Sequence, residues 1–213
     1  MKKLLLSIVL FLFSSSLFAQ IDITGGMGIT YVNNASLTDY LNIFFPSDSE
    51  LNTFSSTVEF FIETDYSLNK NYQIGLEYVY QLFSYNTSYG GGVAYALSYS
   101  HHKPSFLAYY VISGTGYKFK FGGGLGLRFI SLSEKILTTA DYSATGFGVL
   151  LKAQGHTSLG GNVYLNLGVD LKYDFPGEPK MGDRYIVDNT IDENINLNSL
   201  SAGVKIGISY FFD

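Results

Sequence analysis

From Gln20 to Phe212 the chain repeats one pattern, in which alternate residues build an apolar stripe on one side and a small, polar or charged stripe on the other. Between Asn162 and Phe175, Val163, Leu165, Leu167, Val169, Leu171, Tyr173 and Phe175 form one face. Tyr164, Asn166, Gly168, Asp170, Lys172 and Asp174 form the other. Successive side chains of a strand point to opposite sides, so each such segment reads as a β-strand with one apolar face. Eight segments follow the pattern, at 20–32, 53–68, 71–85, 92–113, 116–132, 145–158, 162–175 and 197–212. Short turns at 68–71, 114–116 and 159–161 alternate with long connections at 33–52, 133–144 and 176–196 and a shorter one at 86–91. An even strand count with alternating short and long connections is what a closed antiparallel barrel requires.

The composition agrees. All the aromatic residues are Tyr or Phe, and 23 Gly accompany only 4 Pro, which suits long twisted strands better than helices. The fold class is therefore all-β: an eight-stranded antiparallel up-and-down transmembrane β-barrel. Most of the segments are longer than the ~9–11 residues that cross a bilayer at the usual tilt, so the barrel is expected to stand proud of the lipid on its outer side. In the fourth segment Ala94, Ala96, Ser98 and Ser100 mark one face until His101-His102-Lys103-Pro104, after which both faces are apolar. Proline cannot donate to the ladder, so a bulge or kink is expected there, and the parity beyond Lys103 stays open.

Lys2 and Lys3 precede an apolar run from Leu4 to Phe13, then Ser14 to Ser16 and Leu17-Phe18-Ala19. This reads as a signal peptide over 1–19, cleaved before Gln20, because the run falls short of the ~20 residues of a membrane-crossing helix. Residues 20–213 then form one domain. The absence of Cys excludes disulfides, a lipid-anchored N-terminal Cys and thiolate–metal chemistry. A net charge of −5, more negative once Lys2 and Lys3 are removed, argues against nucleic acid as a partner.

The terminal run Lys205-Ile206-Gly207-Ile208-Ser209-Tyr210-Phe211-Phe212 reads polar, x, Gly, x, x, aromatic, x, aromatic. With Lys205, Gly207, Tyr210 and Phe212 at its marked positions, it resembles the C-terminal insertion signal of Gram-negative outer-membrane barrels. Asp213 follows the terminal aromatic, where such barrels usually stop. Adding the strand around Phe119 to Phe129 with its Gly122–Gly126 run, and the Pro-containing strand before it, the mature chain resembles the small eight-stranded outer-membrane barrels of the OmpA, OmpX and OmpW type. The resemblance implies an outer-membrane location, recognition by the barrel-insertion machinery, and outer-membrane lipid and lipopolysaccharide as partners of a monomer. It leaves function open, since this architecture hosts adhesins, structural anchors, small-molecule passages and a few lipid enzymes.

Placing the polar faces inward gathers Asp22, Glu59, Glu63, Asp65, Glu77, Asp170 and Asp174 in the lumen with Lys118, Lys120, Arg128, Lys152, Lys172 and Lys205. Eight strands leave an interior that side chains can fill, and buried charges persist when paired, so the expectation is a salt-bridged plug. Lys118, Lys120 and Arg128 are expected to pair with Glu59, Glu63 or Glu77. A selective passage is the alternative, although no ring of single-sign charge is evident.

Asp39, Asp48, Glu50, Glu134, Asp141, Glu178, Asp183, Asp188, Asp192 and Glu193 make the connections acidic against Lys135, Lys180 and Arg184. Divalent-cation binding, or bridging to lipopolysaccharide through such ions, is one reading of Asp183, Asp188, Asp192 and Glu193, but their spacing matches no calcium loop, and a solvated rim is the expectation. After Ser36, a plausible N-cap, Leu37, Tyr40, Leu41, Ile43, Phe44 and Phe45 are spaced as on a helix. Closing the barrel mouth is the favoured role, with a helix on the lipid surface or a partner-binding patch as alternatives.

His156, Ser158 and Asp170 resemble the His-x-Ser plus distant carboxylate of outer-membrane lipid A deacylases, in which His activates the Ser nucleophile. Asp stands where that arrangement has Glu. The Gly122–Gly126 run lies within a strand and makes room for large lumen side chains rather than for a phosphate. His101 and His102 are too isolated for a metal site. The reading is thus an integral outer-membrane barrel with a plugged polar lumen, acting as a surface structural or adhesion-type interaction protein through its long loops, with no catalysis and no cofactor. Small-solute passage is the first alternative, a lipid A-modifying enzyme the second. A soluble lipocalin-type barrel would need the aromatic stripe inside.

Overall fold

The computed structural model describes residues 20–44, 56–88, 94–135, 137–188 and 193–212. The segment read as a signal peptide, together with Phe45, Asp48, Glu50, Asp192 and Asp213, lies outside them. Eight long strands form the barrel: β1 (Ile21–Asn33), β2 (Ser56–Ser67), β3 (Tyr72–Ser88), β4 (Ala94–Gly114), β5 (Tyr117–Lys135), β6 (Thr139–Gly160), β7 (Val163–Phe175) and β8 (Ser199–Phe212). Each pairs antiparallel with its neighbours in the chain, and β8 pairs with β1, so the barrel has no open edge. The register rung that starts at Gln81 and passes through Glu59, Gly28 and Lys205 arrives, once around, at Asn71, a stagger of ten residues. For eight strands that stagger corresponds to a tilt of about 40°.

The outward residues form an apolar belt. Exposed Tyr66, Tyr72, Tyr110, Tyr117, Tyr210 and Phe212 ring the barrel near the short turns, and Tyr31, Phe129, Phe147 and Tyr173 ring it toward the loop end. Between them stand exposed Ile29, Leu76, Leu125, Leu151, Val169 and Val204. Aromatic girdles flanking a band about 25 Å tall are the physical signature of a barrel that spans a bilayer.

Above the upper girdle the pattern inverts. Outward positions become Ser84, Ser98, Ser100, Ser131, Ser133 and Ser143, while Tyr95, Leu97, Ile130, Leu132 and Ala144 point inward and are buried. This inversion corrects two expected boundaries. β5 runs on to Lys135 and β6 begins at Thr139, paired with each other, so most of the connection expected at 133–144 is strand. Strand pairing continues there because the inner face, rather than the outer, buries apolar surface.

The apolar interior of this projecting end packs on α1 (Ala35–Phe44), whose Leu37, Tyr40 and Leu41 join Ile186, Ile195 and Leu197 from the connection before β8. That connection folds into two-residue strands at Lys180–Met181, Arg184–Tyr185, Val187–Asp188 and Glu193–Asn194, with Lys180 in register with Ser143. The helix cap is Asn34 rather than Ser36. Asn34 Oδ1 accepts from the Leu37 N–H at 3.1 Å, whereas Ser36 Oγ accepts from the Asn196 N–H at 3.0 Å. The helix therefore closes the mouth, as favoured from the sequence.

The bulge expected at Pro104 does not occur. The register of β4 with β5 is the same on either side of Lys103 and Pro104, and only their own rungs are missing. β4 with β3 pairs without interruption, Pro104 opposite Tyr78. The missing proline N–H thus costs a local rung and leaves the register unchanged.

Candidate functional site

Every charged residue assigned to the lumen from the sequence is buried inside the barrel, and Lys103 joins them. With it, the buried acids Asp22, Glu59, Glu63, Asp65, Glu77, Asp170 and Asp174 face an equal number of bases. Lys103 escaped the sequence reading because Leu107, Tyr109 and Val111 inside β4 are as apolar as Phe106, Tyr110 and Ile112 outside.

The charges form one column along the barrel. Near the short turns Lys118 Nζ donates to Asp22 Oδ2 at 2.8 Å, where Gln73 Nε2 also donates at 2.9 Å, and Lys120 pairs with Asp65. Lys152 bridges Glu63 and Glu77, and Glu63 also accepts from Tyr109 Oη at 3.0 Å and from Gln154 Nε2 at 2.8 Å. At mid-height Lys205 lies 3.0 Å from Glu77, 2.9 Å from Asp170 and 3.4 Å from Glu59. Lys172 donates to both Glu59 oxygens at 2.9 Å. At the loop end Asp174 receives Arg128 on one oxygen and Lys103 Nζ, at 3.0 Å, on the other. Lys118 also sits 3.8 Å over the Phe211 ring.

These pairings correct the expected ones. Lys118 takes Asp22 and Arg128 takes Asp174; only Lys120 approaches a predicted partner, Glu63 at 3.9 Å, beyond its main contact with Asp65. The stagger decides this, because it sets which residues share a height. Arg128 reaches Asp174 across β6, where glycine leaves the path open: a Cβ on Gly148 would lie 2.3 Å from Asp174 Oδ1 and 2.5 Å from Arg128 Nε. Glycine makes similar room under Asp65 at Gly75. The Gly122–Gly126 run serves the same end, with Tyr109 and Leu107 side chains 2.7 Å from the places where Cβ atoms of Gly122 and Gly124 would stand.

Among the described residues, several buried polar atoms, including Gln81 Oε1, His101 Nε2 and Arg128 Nη2, have no hydrogen-bond partner. Groups of this kind are ordinarily satisfied by water. His101 Nδ1 faces Tyr99 Oη at 3.1 Å inside the barrel, and His102, on the outer wall, shares a 2.6 Å hydrogen bond with Tyr78.

The proposed triad does not assemble. His156 Nε2 faces Asn166 Nδ2 at 2.9 Å, while Asp170 stands opposite Lys152 and is held by Lys172 and Lys205. Ser158 lies two rungs further toward the turn, opposite Tyr164. Of the terminal signal residues, Lys205 belongs to the charge column, Gly207 faces the lumen, and Tyr210 and Phe212 stand in the lower girdle with ring centroids 4.7 Å apart.

Glu134, read as a rim charge, accepts instead from Tyr95 Oη at 2.9 Å and Tyr40 Oη at 3.3 Å, tying α1 to the barrel wall. Glu178 accepts from Asn194 Nδ2 at 3.0 Å. Asp39, Asp141, Asp183 and Arg184 are exposed, as a solvated rim requires.

No protein-family model matches this chain, and no curated protein matches it. Among solved structures, the barrel is similar to Ail, the attachment invasion locus protein of Yersinia pestis. The crystal structure of Ail in complex with the heparin analogue sucrose octasulfate aligns with a TM-score of 0.55 and 10% identity, over 91% of this chain and 99% of that one. A crystal structure of Ail alone aligns at 0.54 and 11%, over 91% and 99%. Neisserial surface protein A aligns at 0.49 and 12%, over 91% and 97%. At these identities the likeness is one of fold.

Proposed function

We propose that this chain, an integral β-barrel with the fold of the small outer-membrane proteins, works as a closed surface scaffold that presents its projecting end to an extracellular partner. The charge column carries the reading. Among the described residues, buried acids and bases are equal in number and interlocked from Asp22 to Asp174, with the α1 plug above them. Opening a passage would require separating buried ion pairs, each break costing about 3–5 kcal/mol. The projecting end has a polar outer wall and its own apolar core, as a surface exposed to water needs. Ail, which shares the fold, is by name an attachment invasion locus protein, and this supports a binding role. Assembly through the terminal Lys205, Gly207, Tyr210 and Phe212 belongs to the same reading, with outer-membrane lipid and lipopolysaccharide as its surroundings.

Planar-bilayer conductance of purified protein, first shown to be folded by a heat-dependent gel shift, tests the closed lumen. Silence is expected. Reproducible unitary steps would make the column a conducting filter and overturn the reading in favour of small-solute passage.

A further inference from the structure

β1 begins one residue after Gln20, and the alternation that buries Asp22 and Thr24 in the lumen places Gln20 at its short-turn mouth, where it is exposed. There it lines a polar cup of about 380 Å³ together with Ser67, Asn69, Lys70, Asn71, Gln73 and Lys118. The Gln20 carbonyl accepts from the Ser67 N–H at 3.1 Å, so the residue is pinned on its C-terminal side. Ile21, which follows, is the outermost rung of the barrel seam and pairs with Tyr66 of β2 and Phe212 of β8. Several polar groups around the cup are already engaged. Asn69 Oδ1 accepts from the Asn71 and Tyr72 N–H groups at 2.9 and 3.1 Å, and Asp22, fully buried, holds Lys118 and Gln73. Among the described residues that line the cup there is no carboxylate, and Lys70 leaves it cationic.

Cleavage before Gln20, as the signal-peptide reading expects, makes this glutamine the first residue of the mature chain. A glutamine in that position carries an α-amine and a side-chain amide that can close into a small ring, an intramolecular reaction that needs no partner. We infer that Gln20 is a modification site, converted to a pyroglutamyl lactam that sits in the cup. The amine nitrogen bonds to Cδ, the Cδ–Nε2 bond breaks, and Nε2 leaves as ammonia with the proton that the amine gives up. Oε1 stays as the lactam carbonyl, and no oxidant, reductant or co-reactant is consumed. The backbone carbonyl is untouched, so the bond from Ser67 survives. An ammonium in the cup meets Lys70 and no carboxylate of the described lining, whereas the neutral lactam offers an N–H and a C=O to the surrounding amides and hydroxyls. The lactam protects the seam. With no free α-amine, an aminopeptidase cannot start at Gln20 and work into Ile21, whose pairing with Phe212 closes β1 on β8.

The test is intact-mass and N-terminal peptide mass spectrometry of the mature barrel purified from the membranes of cells that export it. The expected chain starts at residue 20 and is lighter than one with an open glutamine by the mass of ammonia, about 17 Da. The same spectrum locates the cut. A start at another residue would refute the cleavage, and a start at Gln20 with the full mass would refute the ring closure; either overturns the inference. Gln20→Ala keeps a free amine at the same place, the position is exposed, and an unchanged heat-dependent gel shift confirms that the variant folds. Folded and treated with an aminopeptidase, Gln20→Ala is expected to lose N-terminal residues at least about tenfold faster than the parent. Equal trimming of the two would show that no lactam guards the seam.

Discussion

Asp174 and Arg128 are partners, yet removing one should cost far more than removing the other. Asp174 holds two cations, Arg128 on Oδ1 and Lys103 on Oδ2, and all three side chains are buried. Asp174→Asn strands both cations, and Lys103 has no other ion pair among the described residues. A buried charge left without its partner costs about 3–5 kcal/mol, so at least that much is expected. Arg128→Met leaves Asp174 paired with Lys103 and removes, besides the ion pair, the bonds from Arg128 Nη1 to Ser105 Oγ at 3.1 Å and to the Leu127 carbonyl at 2.8 Å. With an apolar side chain of similar length in place, the expected cost is about 1–2 kcal/mol. The combination Lys103→Met, Arg128→Met and Asp174→Leu buries no charge at the site and should recover most of the stability lost in Asp174→Asn. The chain has no Trp, so urea titration in lipid vesicles is best followed by the gel shift of folded against unfolded barrel. An Arg128→Met cost equal to or above that of Asp174→Asn, or a triple variant weaker than Asp174→Asn, would refute the assignment of Asp174 as the hub.

The inversion of the outer wall makes a second prediction in the same titration: Leu151→Arg, in mid-belt, should cost about 2–4 kcal/mol, while Ser133→Arg, above the upper girdle, stays within about 0.5 kcal/mol. Leu41→Asp places a charge in the buried cluster under α1; it should open the loop end to protease while leaving the gel shift of the membrane-embedded barrel in place. Cleavage no faster than in the parent would show that the helix is not what closes the mouth.

The lumen faces were legible in the sequence wherever one stripe is apolar and the other is not, as in β7 and the lower part of β5. β4 past Lys103 gave no such contrast, and a buried cation went unseen for that reason. The pairings were illegible for a different reason. Sequence places Arg128 and Asp174 on the lumen side of their strands, but only the ten-residue stagger sets their heights, and only glycine at 148 lets them meet across β6. The upper strand ends are not legible from an outward apolar stripe, because above the belt the apolar face turns inward at Ile130, Leu132 and Ala144. The mouth-closing helix was foreseen from the spacing of Leu37, Tyr40 and Leu41, though its cap was placed two residues late.

The two closures of the barrel differ in kind, and this bears on where a partner can act. The upper one is apolar: α1 is held by buried Leu37 and Leu41 and by the bonds of Tyr40 and Tyr95 to Glu134. Forces of that sort can be exchanged for contacts with another apolar surface at modest net cost. The lower closure is ionic and distributed. Lys205 touches three carboxylates and Lys152 two, so moving any one base leaves several acids short of a partner. A ligand that displaced α1 would therefore meet the intact column beneath it, near Asp174 and Lys103, and the barrel would still be shut. On the function proposed above, binding at the mouth would rearrange the surface without admitting solute, as a scaffold that engages partners while preserving the membrane barrier requires.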